Sequence, residues 1–323
     1  MLDQIEDRER ALQQSETLLR QSQHLGKIGG WEWDSEKSSI YWTPETFHIH
    51  DMPVETEAVK AHVAIEKSAA CYSPEDRELV LRAFGLCAEK GVPYDLECRF
   101  VTVKQRHLWI RTQGQAEMRD GKVVKVIGYI ADITERKTME EQIRNLAYFD
   151  PLTALPNRRM LSDRLQLAMA GGQRSGGYGA LIYLDLDNFK PLNDTQGHAA
   201  GDLLLIEVAK RLLHCVRQID TVARTGGDEF VVILNGLSTE VSAAAVECQQ
   251  IATKILAALS MPYVLSTAPN EAGAPMIEHH CTTSLGVTLF KGQDVSMDDV
   301  MKKADAAMYQ AKEAGRNRIQ TAA

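Results

Sequence analysis

The sequence predicts an α+β protein built from two domains, with one helix ahead of them and a second helix between them. Its 323 residues exceed what a single hydrophobic core usually organises. The first half contains all four tryptophans, set in short segments that alternate apolar and polar residues, as antiparallel strands do. From residue 150 onward, apolar strand-like runs alternate with amphipathic helical patterns, which is typical of a second α+β domain.

The composition limits the kinds of partner and compartment. Hydrophobic residues make up 44% and charged residues 25%, which is ordinary for a globular protein. A net charge of −8 argues against general binding to DNA or to anionic membranes, although a local basic pocket for phosphates remains compatible. Six scattered cysteines without a C-x-x-C pattern indicate free thiols in a reducing compartment. No membrane span and no secretion signal are recognisable, so we expect a cytoplasmic protein.

Residues 1–24 lack glycine and proline and are rich in Gln, Glu, Arg and Leu, so they predict an N-terminal helix. Ile5, Leu12 and Leu19 recur every seven positions, but the intervening d-type positions are polar. A short coiled coil and an ordinary amphipathic helix both fit this pattern.

Residues 25–135 predict short strands separated by turns and by two helices. The predicted elements are strand 31–34, helix 43–49, helix 74–90, strand 94–100, a strand beginning at 108–111, a turn at 119–122 and strand 123–130. The order of these elements resembles a PAS sensor domain. The motifs that carry the resemblance are the segment from Ile28 to Asp34 and the closing segment from Gly128 to Lys137, which contains Asp132-Ile133-Thr134. The resemblance implies an antiparallel sheet with helices but leaves the ligand of the domain unknown.

The residues of this segment bear on two cofactors that PAS domains bind. The histidines of this segment could in principle hold haem, but a lone histidine is more often structural; they are His48, His50, His62 and His107. Cys98-Arg99-Phe100 superficially resembles the flavin-adduct motif of light-sensing PAS domains. It lacks the preceding asparagine and the following Leu-Gln, so a flavin adduct is rejected.

Residues 136–149 predict a linker helix. Asp132 or Thr134 can cap it, and Met139, Ile143 and Leu146 fall on one face. This face could pair with a second copy of the chain or pack on its own domain, and in a linker we favour the dimer.

The strand predicted at 180–187 is apolar until it ends in two carboxylates, after a helix at 159–170 and a glycine-rich loop at 171–179. Asp185 and Asp187 project to one face of the strand, while Leu186 points into the core. Burying a carboxylate in this position costs free energy unless the carboxylate is paired or holds a metal. The alternative to a metal site is that these carboxylates cap a following helix.

A second pair of acids lies in a predicted hairpin turn between apolar strands. Gly226 and Gly227 supply positive φ and let the backbone approach a bulky anion, and Asp228 and Glu229 are hard oxygen ligands suited to Mg²⁺. Taken alone, such a turn is also compatible with a merely solvated hairpin.

Five motifs in order resemble the GGDEF family of diguanylate cyclases over residues 150–318. They are Asp150–Arg158, Asp185–Asp194 with Gly197-His198 and Gly201-Asp202, Arg224–Phe230, Lys303–Lys312, and Gly315-Arg316-Asn317. The resemblance implies that residues 150–323 form a palm-like sheet of nucleotidyl-cyclase type, flanked by helices. It also implies that two GTP molecules are condensed into cyclic di-GMP and two pyrophosphates. A Pro- and Gly-rich insert at 265–278 predicts a mobile hairpin loop.

The resemblance implies a role for each matching site residue. Two Mg²⁺ (or Mn²⁺) ions per site are implied, held by Asp185, the Leu186 carbonyl, Asp228 and Glu229, with Asp228 nearest the chemistry as a possible base. An aspartate that reads guanine N1–H would favour GTP, although Asp202 alone also fits a helix N-cap. The residues implied in binding GTP are Phe189, Lys190, Asn193, Asp202, Gly226, Gly227, Lys312 and Arg316.

Arg217 and Asp220 match the family's R-x-x-D site for inhibition by the product cyclic di-GMP, although alone they describe a solvated helix end. The family's further arginine could not be assigned. Because each chain would hold one GTP, the resemblance implies a homodimer. The alternative is a catalytically silent GGDEF domain that binds GTP or cyclic di-GMP and signals through contacts.

Overall fold

A computed structural model of the protein describes residues 2–55, 59–266, 276–292 and 295–322. The chain forms two compact units, Met1–Glu141 and Gln142–Ala323. The linker helix contains the point of division. As predicted, the fold is α+β, and its strand pairs are antiparallel except for one parallel pair in the second unit.

The first unit contains a long N-terminal helix, a sheet and short helices beside it. Its elements are α1 (Leu2–Leu25), β1 (Ile28–Asp34), β2 (Ser39–Trp42), α2 (Pro44–His50), β3 (Val59–Lys60), α3 (Ala61–Ala69), α4 (Pro74–Lys90), β4 (Tyr94–Val101), β5 (His107–Arg119), β6 (Lys122–Asp132) and the start of α5 (Thr134–Tyr148).

The sheet of the first unit has the strand order β3-β2-β1-β6-β5-β4, and all its pairs are antiparallel. The order of the strands in the sheet differs from their order in the chain, because β6 returns to the middle of the sheet. There it pairs with β1 along the whole of Ile28–Asp34. The sequence predicted α2, α4 and the four longer strands. It missed β2 and β3, which have four and two residues and are too short to show a periodicity, and it also missed α3.

His50 lies in the core of the first unit, in contact with the rings of Trp42 and Phe100. Both of its ring nitrogens are engaged, Nδ1 with the Thr46 carbonyl at 2.7 Å and Nε2 with Ser68 Oγ at 3.0 Å. The neighbouring cavity holds only about 70 Å³. His50 is therefore a structural histidine rather than an iron ligand.

Acidification between pH 6.5 and pH 4 is expected to destabilise the first unit. Burial lowers the pKa of His50 from 6.5 to about 4, so the unfolded chain takes up the proton more readily than the folded one. Stability is fully present above pH 6.5 and falls by about 3 kcal/mol by pH 4, at about 1.4 kcal/mol per pKa unit. Tryptophan fluorescence during thermal unfolding reports on this unit, because all four tryptophans lie in it. His50→Phe should flatten the pH slope, whereas replacement of the exposed His107 should leave it unchanged.

The second unit contains the end of α5 and all later elements. These are α6 (Arg158–Ser175), β7 (Tyr178–Asp187), α7 (Phe189–Gln196), α8 (His198–Cys215), β8 (Thr221–Gly226), β9 (Glu229–Leu234), α9 (Val241–Ser260), β10 (Tyr263–Ser266), β11 (Met276–His279), β12 (Thr282–Lys291), α10 (Met297–Glu313) and β13 (Ile319–Thr321).

The main sheet of the second unit has the order β13-β12-β7-β9-β8, with β7 at its centre. Alternate residues of β7 face two separate cores, because successive side chains of a strand point to opposite faces. Leu184 and Leu186 pack with α8 and α9, whereas Leu181 and Tyr183 pack with α6 and α10. The predicted inward position of Leu186 is therefore correct, and Asp185 and Asp187 lie on the face of α10.

The prediction of a glycine-rich loop at 171–179 was wrong. Helix α6 continues through Gly171 and Gly172 to Ser175, and β7 already begins at Tyr178. The helix ends only at Gly176, whose φ of 73° is the left-handed conformation that terminates helices. Two adjacent glycines weaken a helix, yet α6 continues through both of them.

Both ends of the predicted insert at 265–278 belong to strands, since 265–266 lie in β10 and 276–278 in β11, which pair antiparallel. Residues 267–275 lie outside the described residues, so the structure does not test the prediction of a mobile loop there. None of the helices in the described ranges has the combination of length and apolar character needed to cross a bilayer.

Candidate active site

Asp187, the last residue of β7, is a structural carboxylate. Its oxygens accept hydrogen bonds from Thr282 Oγ1 at 2.7 Å, Ser284 Oγ at 2.8 Å and the Asn317 amide at 3.1 Å. It therefore ties β7 to β12 and to the turn after α10. Helix capping is not its function, because α7 begins at Phe189 and the Asp187 oxygens bind elsewhere.

Asp185 lies two residues earlier, is buried, and contacts Lys312 of α10. Lys312 Nζ is 2.7 Å from Asp185 Oδ1. Burial raises the pKa of Asp185 to about 6; the hydrogen bond from Lys312 opposes the rise, and the charges of Asp228 and Glu229 add to it. The site thus holds three acids close enough to affect one another, and a cation would relieve their repulsion.

The hairpin between β8 and β9 brings the second pair of acids to the end of β7. As predicted, Gly226 and Gly227 have positive φ values, 151° and 50°. Glu229 is paired directly opposite Asp185, and the Leu186 amide donates to the Asp228 carbonyl at 3.3 Å. Asp185, Leu186, Asp228 and Glu229 are therefore brought together.

Glu229 is positioned by two side chains that the sequence did not single out. Tyr183 donates its hydroxyl hydrogen to Glu229 Oε2 at 2.8 Å, and Thr225 Oγ1 lies 3.3 Å from the same oxygen. Burial raises the pKa of Tyr183 to about 12, so its hydroxyl stays a donor at neutral pH. Its place two residues before Asp185, on the same strand face, is the signal that could have identified it.

Arg224 is a further residue of the site for which the sequence predicted no role. Its guanidinium contacts both Asp150 oxygens at 3.0 Å and donates from Nη2 to the Gly227 carbonyl at 2.7 Å. Burial would raise the pKa of Asp150, but bonds from Thr153 and Arg224 outweigh it and hold that pKa below its usual value. Arg224 thus links Asp150, which lies two residues after the end of α5, to the glycine turn.

Asn193 and Asp202 lie on two consecutive helices. Asn193 Oδ1 is buried and, among the described residues, accepts no hydrogen bond. A Cβ on Gly201 would lie 1.9 Å from this oxygen, so only glycine fits there. Asp202 is exposed and lies inside α8, which begins at His198; the N-cap alternative for Asp202 is therefore wrong.

The remaining predicted nucleotide residues lie at the ends of α7 and α10 or just after α10. Phe189 and Lys190 are the first two residues of α7, and the Lys190 side chain is exposed. Arg316 is exposed in the turn after α10. Lys312 is the exception, because its ammonium contacts the Asp185 carboxylate in this structure. Its binding to phosphate stays a prediction.

Arg217 and Asp220 lie in the turn between α8 and β8. The Asp220 carboxylate accepts hydrogen bonds from the Arg217 amide at 2.9 Å and from the Asn235 amide at 3.0 Å. The Asp220 side chain therefore shapes the turn, whereas the Arg217 side chain is exposed. The solvated helix end that the sequence alone allowed is instead an ordered turn.

The donor atoms around the end of β7 suit a hard divalent cation. Three carboxylates and a backbone carbonyl offer only oxygen, which is the ligand that Mg²⁺ and Mn²⁺ prefer. Burial is the main cause of the raised pKa of Asp185, and the charges of Asp228 and Glu229 add to it, so a bound cation would favour the ionised form. The residues therefore fit the metal that the sequence predicts.

Comparison with protein families identifies both units. The family model described as diguanylate cyclase, GGDEF domain, matches residues 147–318, and that described as PAS fold matches residues 39–130. Fold, site and domain order define a signalling protein with a sensor-type domain ahead of a nucleotide-cyclase-type domain. The chain belongs to the GGDEF family of diguanylate cyclases and carries a PAS domain in front.

Curated relatives include proteins that make or break cyclic di-GMP. The bifunctional diguanylate cyclase/cyclic di-GMP phosphodiesterase MucR of Pseudomonas aeruginosa is 42% identical, over 54% of this chain and 24% of its own length. Diguanylate cyclase DgcP of the same species is 40% identical, over 57% and 25%. The cyclic di-GMP phosphodiesterase PdeR of Escherichia coli is 34% identical, over 71% and 32%. The chain thus spans about a quarter to a third of the length of these relatives.

Solved structures are also similar. The coiled coil and GGDEF domain of DgcB from Caulobacter crescentus, in complex with c-di-GMP, is 31% identical, with a TM-score of 0.49, over 59% of this chain and 93% of that one.

Proposed function

We propose that the protein is a diguanylate cyclase that condenses two GTP into cyclic di-GMP and two pyrophosphates. The observation that carries the proposal is the meeting of Asp185, Asp228 and Glu229 at the end of β7, in a chain whose GGDEF motif is intact. A silent signalling module would be expected to have lost an acid or a glycine of this turn.

Asp185, the Leu186 carbonyl, Asp228 and Glu229 would hold two Mg²⁺ ions. Bound there, the ions would polarise the α-phosphate of GTP and favour the alkoxide of the attacking 3′-hydroxyl. Asp228, which is half-buried in the glycine turn, would accept the proton of the 3′-hydroxyl. Tyr183 and Thr225 would keep the Glu229 carboxylate oriented. When the ions bind Asp185, the Lys312 ammonium would be free to neutralise phosphate instead.

Asn193 and Asp202 would select guanine. The buried Asn193 oxygen is an acceptor that still needs a donor, and the guanine edge offers N1–H and N2–H₂. Adenine has no N1–H, so it would leave the acceptor unpaired in a buried place, which is costly. The amides of Phe189 and Lys190 at the start of α7, together with Arg316, would bind the terminal phosphates.

The reaction would require two copies of the chain, because the end of β7 offers a place for one nucleotide and the product contains two. The exposed apolar face of α5, with Met139, Ile143 and Leu146, would contribute to the homodimer. In α1, Leu12, Leu18 and Leu19 are exposed as well. A signal received by the PAS domain would then act through the arrangement of the two copies.

Purified full-length protein is expected to convert GTP into cyclic di-GMP in the presence of Mg²⁺, measured by chromatography of the nucleotides. ATP in place of GTP should give no cyclic product, and chelation of Mg²⁺ should stop the reaction. A homodimer that binds GTP but releases no pyrophosphate would refute the cyclase and support the silent module.

We also propose that cyclic di-GMP inhibits the enzyme at Arg217 and Asp220. Arg217→Ala is expected to weaken inhibition on the order of tenfold or more, since a charged hydrogen bond to phosphate is worth about 1.5–3 kcal/mol. Its exposed side chain makes this a clean substitution, whereas Asp220→Ala would also remove the two bonds that shape the turn. Initial rates at increasing product concentration give the inhibition constant. An unchanged constant, with the basal rate preserved, would contradict the proposal.

A further inference from the structure

Three potential metal ligands meet in the first unit, remote in sequence from the acids of the proposed active site. His24 lies in the last turn of α1, and Glu45 and His48 lie one turn apart on α2. The Nδ1 atoms of His24 and His48 lie 2.9 and 3.2 Å from one and the same oxygen, Glu45 Oε2. The two nitrogens and the oxygen all lie within 4.8 Å of one another.

We propose that His24, Glu45 and His48 bind a divalent transition-metal ion of the zinc class. Two imidazole nitrogens and one carboxylate oxygen form the ligand set that suits Zn²⁺, Co²⁺ or Ni²⁺, and not Mg²⁺ or Ca²⁺, which prefer oxygen alone. Neighbouring ligands of a tetrahedral zinc ion lie about 3.3 Å apart, given bonds of about 2.0–2.2 Å. The two observed nitrogen–oxygen distances are within a few tenths of an ångström of that value.

The burial of the three side chains is that of an open site. The Glu45 side chain is only 10% exposed, whereas those of His24 and His48 are 73% and 53% exposed. The carboxylate thus forms a fixed base, while the imidazoles lie toward solvent, where an ion can enter and keep a water as its fourth ligand. The alternative to a metal site is a cluster held by hydrogen bonds between the imidazoles and Glu45. Measurements of metal binding distinguish these two interpretations.

Bound metal would fix the C-terminal end of α1 to α2. In the sequence, 18 residues separate the end of α1 at Leu25 from the start of α2 at Pro44. Metal occupancy would therefore stabilise the end of a helix that otherwise carries exposed leucines. The ion would act as a clamp on the N-terminal helix, independent of GTP.

Co²⁺ is the probe for the test, because its tetrahedral complexes absorb visible light intensely. Metal-stripped full-length protein is titrated with Co²⁺ in excess Mg²⁺, which occupies oxygen-only sites. We expect tetrahedral bands that saturate at one ion per chain and vanish when Zn²⁺ is added. Their absence in the wild-type protein would overturn the proposal.

Variants show whether the ion sits at the proposed residues. His24→Ala, His48→Ala and Glu45→Gln should each weaken Zn²⁺ binding on the order of 100-fold, since even loss of an outer-shell partner costs about 10–100-fold. His62→Ala, which removes another exposed histidine of the unit, is the matched control and should bind normally. His24→Ala removes an exposed side chain, so it tests the site even if Glu45→Gln fails to fold. Wild-type affinity in His24→Ala and His48→Ala would refute the site.

Hydrogen exchange tests the clamp. Zn²⁺ should slow amide exchange at residues 20–25 of the wild-type protein and leave it unchanged in His24→Ala. Equal exchange with and without Zn²⁺ in the wild-type protein would overturn the clamp.

Discussion

Replacing Asp228 by alanine is expected to lower the rate of cyclic di-GMP synthesis by on the order of 10³-fold or more, the scale seen when a group that stabilises developing charge is removed. Asp228 belongs to the three acids at the end of β7, and of these it is the one in the glycine turn. Initial rates of pyrophosphate release at saturating GTP measure the effect.

The fold of the Asp228→Ala variant should remain intact. The turn is shaped by the backbone of Gly226 and Gly227 and by the contact of Arg224 with the Gly227 carbonyl, none of which needs the Asp228 side chain. Asp163→Ala on the exposed face of α6 is the matched control and should keep wild-type activity. A rate within tenfold of wild type in Asp228→Ala would remove this residue from the mechanism.

Much of the site could be predicted from sequence because its signals are local. The period of two along β7 places Asp185 and Asp187 on one face, and adjacent glycines before Asp228 predict the turn. The course of α6 was not predicted. Glycine has a low helix propensity, so the sequence indicated a loop where the helix in fact continues through Gly171 and Gly172.

The partners of the acids could not be predicted, since they come from distant parts of the chain. Asp187 is bound by residues 95 to 130 positions later, and Lys312 reaches Asp185 only because α10 packs on β7. These contacts give the two acids different surroundings. The strand period alone treats Asp185 and Asp187 alike, and only the family resemblance named Asp185 as a metal ligand; in the structure Asp187 is bound by hydroxyl and amide donors, whereas Asp185 has a raised pKa.

The end of α5 is connected to the glycine turn through a short series of contacts. The Asn157 amide donates to the Tyr148 carbonyl at 2.9 Å, and the Asp150 amide donates to the Leu155 carbonyl at 2.8 Å. From Asp150 the connection passes to Arg224 and then to the Gly227 carbonyl. A change at the end of α5 would thereby alter the turn that carries Asp228.

Replacing Arg224 by alanine is therefore expected to reduce both stability and activity. Its side chain and that of Asp150 are only 11% and 17% exposed, and loss of one partner of such a pair costs about 3 kcal/mol. The rate should fall on the order of 100-fold, because the Gly227 carbonyl loses its bonds and the turn is no longer fixed. Thermal unfolding and initial rates are measured on the same preparation.

The Asp150 and Arg224 variants together distinguish positioning from simple destabilisation. If the pair acts as one unit, the double variant Asp150→Ala/Arg224→Ala should lose much less stability and rate than the summed losses of the two single variants. Arg224→Lys keeps the charge but loses the planar fork that contacts two groups at once, so it should recover stability more than rate. Arg211→Ala is the control for loss of a structural arginine, because the Arg211 guanidinium binds the carbonyls of Met261 and Pro262 and not that of Gly227. Its stability should fall while the rate at permissive temperature stays near wild type. Equal losses of rate in Arg211→Ala and Arg224→Ala would show that Arg224 does not position the turn.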